Sequence, residues 1–441
     1  MAIRVEIDGT DRTSDVQRDI DVELTVQRAG SAKFTAHSKD ASWRPTKMMS
    51  VEIWEPAVTA TGSITSGSFT FTSTSLAASH RHVRIPGAGP GGATLRASLL
   101  SVTPGVSATI DVAASATVSG ATTCLIGTAR FLGYLEDPGE GRIGDAPNTR
   151  EFDLTAVSLY AVLQRLYPRS SRPEETLFDR LDGLVSDTGA DDHGIRVYWP
   201  QLPVELVTED SEAFITEDGE ALAAEDSDEG ATLVARTYDG KKTFADVLLD
   251  LAIEDGNNRT FLTDAIGRIR MSLPAAFAAP SEITAAMVKL PASVRVRAVG
   301  EYFNQVVYHY GANIDAYVTV TDATEVSALD GRVFEAVVED SDDIDATEAT
   351  ARATTYLGLR ANRGLYQIQN VTLDDEEGFE EGQFATITIA ERDVSGVHLI
   401  ESVRAQYFGL AELGWRYVLT ATNGDVSLDN YMDYWDEAIG E

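Results

Sequence analysis

His80 and His82, in the string SHRH, stand two residues apart, so on an extended strand both imidazoles would share one face, as two ligands of a metal ion do. No third histidine or carboxylate lies close by, and surface polar residues are the plainer reading. His309 in VYHYG and His398 in GVHLI sit within alternating apolar strings, where a hydrogen-bonded place in a β wall is expected rather than catalysis. Acid pairs such as Glu136 and Asp137, or the run Asp374 to Glu377, have the residue types of a glycosidase. With 70 Asp and Glu in 441 residues, any such pair arises freely. The glycines of GAGPGG, residues 87–92, precede no helix and no Lys-Ser/Thr, so they lack the geometry that cradles a phosphate. GxSxG, HExxH and Walker A arrangements do not occur. No catalytic, cofactor-binding or metal-ligating residue is singled out, no cofactor is expected, and the chain reads as a non-enzyme.

The single cysteine, Cys124, excludes an intramolecular disulfide and a cysteine metal cage. No run of about 18 apolar residues is present to cross a bilayer, and the start MAIRVEIDGTDR lacks a signal peptide's apolar stretch, so Sec export is not expected. The net charge of -35 disfavours a basic nucleic-acid face. Six of the 35 basic residues are lysine and the rest arginine. An acid-rich, lysine-poor surface suits molar salt, where the Debye length falls to about 3 Å. A generic acidic protein from a high-GC genome is the other reading.

The elements that would carry these residues are mostly strands. In residues 1–57 the pieces IRVEI, VELTVQRA, SAKFTAH and MSVEIWE alternate apolar and polar residues between Gly, Asp or Ser turns, the opening of an antiparallel sheet. Residues 58–128 change to a Ser/Thr/Ala/Gly-rich alternating pattern whose only charges are Arg81, Arg84, Arg96 and Asp111, which suggests an inserted β module. The acidic sheet pattern resumes in ARFLGYLEDPG. Residues 154–167, with Leu159, Val162, Leu163 and Leu166 at helical spacing and Asp153 before them, predict a helix. Between 205 and 230 there are 11 acids and no base, the composition of a solvated loop; EF-hand spacing is absent. TFADVLLDLAIEDG predicts a second helix opened by Thr243 and Asp246 and stopped at Gly256, and Asp264 to Gly267 predicts a tight turn between two strands. A third helix is expected over 345–361, followed by the strand pieces LYQIQNVTL, FATITIA, VHLIESVRAQYF and WRYVLTAT.

The order of VEIWE, ARFLGYLEDPG, LTAVSLYAVLQRLY, KTFADVLLDLAIEDG, DAIGRIRMS, NQVVYHYGA, ATEATARATTYLGLRA, EEGQFATITIA, SGVHLIESV and GWRYVLTAT resembles the baseplate hub proteins of tailed phages and related tailed archaeal viruses. It is similar to the N-terminal hub part of tail-associated lysins, and only 58–128 departs from the pattern. The resemblance implies a mainly β fold with an α/β middle. Two tail-tube-like antiparallel β-barrel domains would flank a mixed domain: 1–57 with 129–167, then 168–290 containing the acidic loop, then 291–425, with 426–441 as a tail. It also implies a virion protein assembled in the host cytoplasm, a homotrimer forming a ring that continues the tail tube. Its neighbours would be a distal tail or tail-tube protein, a tape-measure protein and tail-tip or fibre proteins, with DNA only in transit through an acidic lumen. The module 58–128 would face outward, dispensable for the ring and able to touch the host surface. A receptor- or glycan-binding adhesin and a surface-polysaccharide hydrolase are the alternative functions.

Overall fold

The computed structural model describes residues 3–16, 19–26, 28–38, 43–138, 142–143, 150–198, 232–254, 260–272, 279–289, 292–296, 302–311, 316–339, 344–360, 366–374, 379–392, 394–407 and 415–423. The expected acidic loop 205–230, Gly256, Asp375 to Glu377 and the tail 426–441 lie outside these residues. The fold is mostly β, and its spine is a long antiparallel pair, Ser50–Ile64 with Val118–Asp137, running in register from Tyr134 opposite Ser50 to Val118 opposite Ile64 with bulges between. Arg4–Ile7 pairs with one edge of this spine, and Arg150–Ser158 with the other; Ser31–Ser38 then pairs with Arg150–Ser158. In each strand the alternate apolar residues Val5, Ile7, Val51, Ile53, Phe34, Ala36, Phe152 and Leu154 turn to one core.

The later strands Tyr366–Asp374, Phe384–Thr388, Val397–Tyr407 and Trp415–Thr422 form a second antiparallel region. It does not stand apart from the first. Val397–Tyr407 pairs with Ile20–Thr25, from Ser402 opposite Thr25 to Tyr407 opposite Ile20, and Ile20–Thr25 pairs in turn with Ser31–Ser38. Ile368, Val371, Leu373, Val403 and Leu419 share one hydrophobic cluster with Val5, Ile53, Phe131 and Phe152. The sequence suggested two β regions flanking a mixed middle; the structure joins them edge to edge, which removes two open strand edges at once.

Residues 58–128 hold their own core, including Ile64, Phe71, Val83, Ile85, Ala97, Ile110 and Ile126. Their pairings make a circuit: Ser50–Ile64 to Val118–Asp137, to His82–Ile85, to Leu95–Thr103, to Ser107–Ile110, to Thr70–Thr72, and back to Ser50–Ile64. The two spine strands belong to this circuit and to the large sheet without a break at 57–58 or 128–129. Gly62 permits the circuit to tighten, because a Cβ there would stand 2.4 Å from the Phe71 ring.

Helices occupy the middle. The expected helix over 154–167 is corrected: the strand continues to Ser158, and α1 is only Tyr160–Leu163. Phe152, Leu154, Ala156 and Ser158 are buried at period two, so sheet pairing takes the first half of the string, and Asp153, within the strand, accepts from Thr35 Oγ1 at 3.0 Å instead of capping. α2, Leu177–Thr188, was not anticipated; Thr176 Oγ1 caps it by accepting from Asp179 N, and Gly189 ends it in the left-handed region. α3, Phe244–Glu254, begins with the reciprocal cap read from the sequence: Thr243 N donates to Asp246 Oδ2 at 2.9 Å, and Asp246 N donates to Thr243 Oγ1 at 3.2 Å. Leu177, Leu181, Leu184, Phe244, Leu248 and Leu251 form the middle core with Phe261 and Ile269.

Within 291–425, the second β region is interrupted. Ala316–Thr321, Gln305–Tyr310 and Glu335–Glu339 make a separate three-stranded sheet, accompanied by α4, Ala323–Ala328, and by α5, Ala346–Arg360. Val306, Tyr308, Val338, Ala349, Ala353 and Tyr356 give that unit its own core.

Gly133 sits where the spine crosses Arg150–Ser158, and a Cβ on it would lie 1.9 Å from the Val157 carbonyl oxygen. Gly133→Ala is expected to cost at least about 2 kcal/mol, because backbone rather than a mobile side chain must give way. Chemical denaturation should show an earlier loss of the native state; an unchanged midpoint would contradict this strand crossing.

Candidate functional site

The most concentrated polar chemistry among the described residues lies around the hairpin Thr260–Thr263/Arg268–Ser272. Asp264 Oδ1 accepts the N–H groups of Ile266 and Arg268 at 3.2 and 2.9 Å, which folds the turn on its own side chain. Gly267, at φ +86°, completes the turn; a Cβ there would meet Leu159 Cδ1 at 2.6 Å and Leu132 Cδ2 at 2.8 Å. The other carboxylate oxygen of Asp264 takes Arg268 Nε at 2.8 Å. Arg268 then reaches out of the hairpin: Nη1 donates to Asp111 Oδ2 at 2.6 Å and Nη2 to Ser98 Oγ at 2.8 Å. Asp111 Oδ1 accepts from Ser98 N at 2.9 Å. Arg268 and Asp111 are almost wholly buried, with side chains 5% and 1% exposed. Burial pushes the Asp264 carboxyl up, but Arg268 and Arg270 beside it hold it below its ordinary value.

A second set of ion pairs lies along Arg4–Ile7 and the spine. Arg84 Nη1 donates to Glu6 at 2.7 Å and to Glu52 at 2.6 Å, Arg96 Nη2 donates to Glu52 at 2.5 Å, and Arg4 Nε donates to Glu6 at 2.7 Å. Trp54 Nε1 donates to the same Glu52 carboxylate. Desolvation raises the Glu52 carboxyl, yet Arg96 and Arg84 outweigh it and leave it depressed. Of the four charged residues in 58–128, Arg84, Arg96 and Asp111 are thus spent on the seam with the rest of the chain, and Arg81 is exposed. The sequence signal for this seam was the rarity of charge in the module: a charge kept in a nearly neutral stretch marks a contact.

A third set meets the second β region. Arg130 lies 3.7 Å from Glu55, with its guanidinium 5.4 Å from the Trp415 ring and 5.6 Å from the Tyr417 ring. Arg270 Nη1 is 3.9 Å from Glu380 Oε2.

Four of the six histidines are held by hydrogen bonds or ring packing. His80 and His82 are buried, and each Nδ1 accepts a backbone N–H, from Ala77 and Ala129 respectively, both at 3.1 Å. His80 precedes the strand His82–Ile85, so the two do not share a strand face. Burial depresses His82 to about 3. His398 lies within a strand, its Nδ1 on the Gly396 carbonyl and its Nε2 on the Tyr366 hydroxyl, while His309 packs against the Tyr317 ring. Glu136 is half exposed, against Arg165. Residues 87–92 form a turn between strands, and no metal-binding group of His, Cys, Asp and Glu occurs among the described residues. A cleft of about 550 Å³ between the middle and α5 has Arg236, Lys241, Lys242 and Arg352 on its wall. Each meets a carboxylate: Arg236 and Lys242 that of Asp250, Lys241 that of Asp239, and Arg352 that of Glu348.

The fold has counterparts in solved structures. The chain is similar over 95% of its length to the 43 kDa tail protein of prophage MuSo2 from Shewanella oneidensis, covering 97% of that chain at 11% identity and a TM-score of 0.52. It is similar over 99% of its length to a tail protein from Neisseria meningitidis MC58, covering 98% of that chain at 11% identity and a TM-score of 0.50. No protein-family model and no curated protein sequence matches the chain.

Arg268→Met should cost about 3–5 kcal/mol, because it strands Asp264 and Asp111 as buried charges; calorimetry that finds less than about 1 kcal/mol would show that the seam is not a structural clamp. For His82 the sign is that of a paired acid, but the window lies higher. Its folded value near 3 lies below its ordinary 6.5, so stability present above about pH 6.5 is lost as pH falls toward 3. His82→Asn, which keeps an acceptor for Ala129 N, should flatten that acid limb in melting temperatures measured from pH 3 to 7.

Proposed function

We propose that the chain is a structural protein of a virus tail, a baseplate hub that assembles as a homotrimeric ring, continues the tail tube and lets DNA pass. The observation that carries this reading is the end-to-end likeness of its fold to the two tail proteins, with nearly full coverage of both chains. A distal tail or tail-tube protein, a tape-measure protein and tail-tip or fibre proteins are the partners such a hub requires. The excess of 35 acids suits a lumen that repels DNA phosphate, or a molar-salt environment.

A second reading, an adhesin acting through residues 58–128, is favoured by one feature. Three of the module's four charges face the seam, so the rest of its surface is hydroxyl-rich with Arg81 as its one charge, while Phe69, Leu100 and Val106 are exposed. Excising 58–128 would not be neutral for the fold, contrary to what its composition suggested. It would truncate both spine strands, take Arg84 from Glu6, Arg84 and Arg96 from Glu52, and Asp111 from Arg268.

Native mass spectrometry and particle averaging of the purified chain test the hub reading. A trimer with three-fold averages is expected, in both low and molar salt or only in the latter. A strictly monomeric species at both ionic strengths, with no ring in assembled tails, would exclude the reading.

A further inference from the structure

Glu381 is a buried carboxylate that makes no ion pair among the described residues, although Arg268, Arg130 and Arg270 each lie near other carboxylates of the seam. Glu381 is 4% exposed and sits in the turn Phe379–Gln383, which leads into Phe384–Thr388. The turn is pinned: Gly382 N donates to Ile400 O at 2.8 Å, Ile400 N to Gln383 O at 2.8 Å, and Glu380 N to Gln383 Oε1 at 2.9 Å. Gly382, at φ +81°, takes the left-handed conformation that the turn needs. The pinned turn holds Glu381 in a position where its side chain is buried. The charged groups acting on it are Glu380 from its own turn, and Asp264 and Arg270 from the hairpin. Arg268 is engaged by Asp264 and Asp111, Arg130 by Glu55, and Arg270 faces Glu380. A further ionised carboxyl here would be buried among like charges.

We propose that the turn Phe379–Gln383 and the hairpin Thr260–Ser272 form a proton-operated latch between the second β region and the middle of the chain, held shut by a proton on Glu381. Burial, followed by the neighbouring Glu380, pushes the Glu381 carboxyl up to about 8, against an ordinary 4.5. Opening the turn returns the group to water, where it ionises near its ordinary value. A group whose closed-state value is raised in this way favours opening as pH rises between the two values. The latch is thus tightest in mild acid, loosens about tenfold per pH unit from about pH 5 to about pH 8, and changes no further once the carboxyl ionises in place. His82, on which Asp264, Arg268 and Arg270 of the hairpin act, works in the opposite direction and only below about pH 6.5.

Hydrogen exchange of the full chain, followed by mass spectrometry from pH 5 to 9 and corrected for the intrinsic base-catalysed rate, tests the latch. Peptides spanning 379–389 and 397–407 should show an opening constant that climbs about tenfold per pH unit and levels near pH 8. A peptide from Leu95–Thr103 should not follow. Glu381→Gln should abolish the climb, and Glu380→Gln, by removing the adjacent charge, should move the levelling point to lower pH. The same climb in Glu381→Gln as in the native chain, or no climb in the native chain, overturns the proposal. If Glu381→Gln does not fold, Glu380→Gln decides, and a levelling point that stays where it is overturns the proposal.

Discussion

The guanidinium of Arg268, held between Asp264 and Asp111, is the constraint on which the arrangement of the chain depends. It is buried, it joins residues 157 positions apart, and neither carboxylate could lie in that interior without it. A buried pair of this kind adds little to net stability, since desolvation offsets most of the attraction. Breaking it is expensive, so only one docking of hairpin on module is tolerated. With the turn fixed, Ile266 enters a small apolar cluster with Trp54, Leu125 and Ala129, and Gly267 comes to rest on Leu132 and Leu159. The three main parts of the chain thus meet at one four-residue turn.

The same logic recurs at other junctions of the chain and within its middle. Arg84 and Arg96 share Glu52, Arg130 lies against Glu55 and two aromatic rings, and Arg180 is fully buried, with Nε on Glu175 and Nη2 on the carbonyls of Pro173 and Val234. Each is a fork of several donors in fixed geometry. Lysine, a single strongly hydrated point charge, would satisfy fewer of these acceptors. The shortage of lysine beside 29 arginines therefore has an internal structural reason as well as any solvent-related one.

The sheet supplies the complementary constraint. Ser50–Ile64 and Val118–Asp137 serve two cores at once, and Ile20–Thr25 with Val397–Tyr407 ties the first β region to the last. Long antiparallel pairing between distant segments is costly to initiate but leaves few loose edges once formed. Such pairing holds the chain in one shape.

What the sequence determined by itself was local. IRVEI, SAKFTAH, FATITIA and WRYVLTAT became strands because alternation at period two leaves one apolar face whatever the partner. Thr243 with Asp246, and Asp264 with Gly267, became a helix cap and a turn because each motif satisfies its own backbone within a few residues. The helix expected over 154–167 failed where two periodicities overlap. Leu154 and Ala156 fit a strand, Leu159, Val162 and Leu163 fit a helix, and the neighbouring strands Ser31–Ser38 and Val118–Asp137 decide where one yields to the other. The tertiary structure alone decided the union of the two β regions, the separate sheet within 291–425, and the seam of Arg268, Asp111, Arg84 and Glu52. Backbone pairing and charge pairing between segments far apart in the chain depend on which surfaces meet, and no local spacing encodes that meeting.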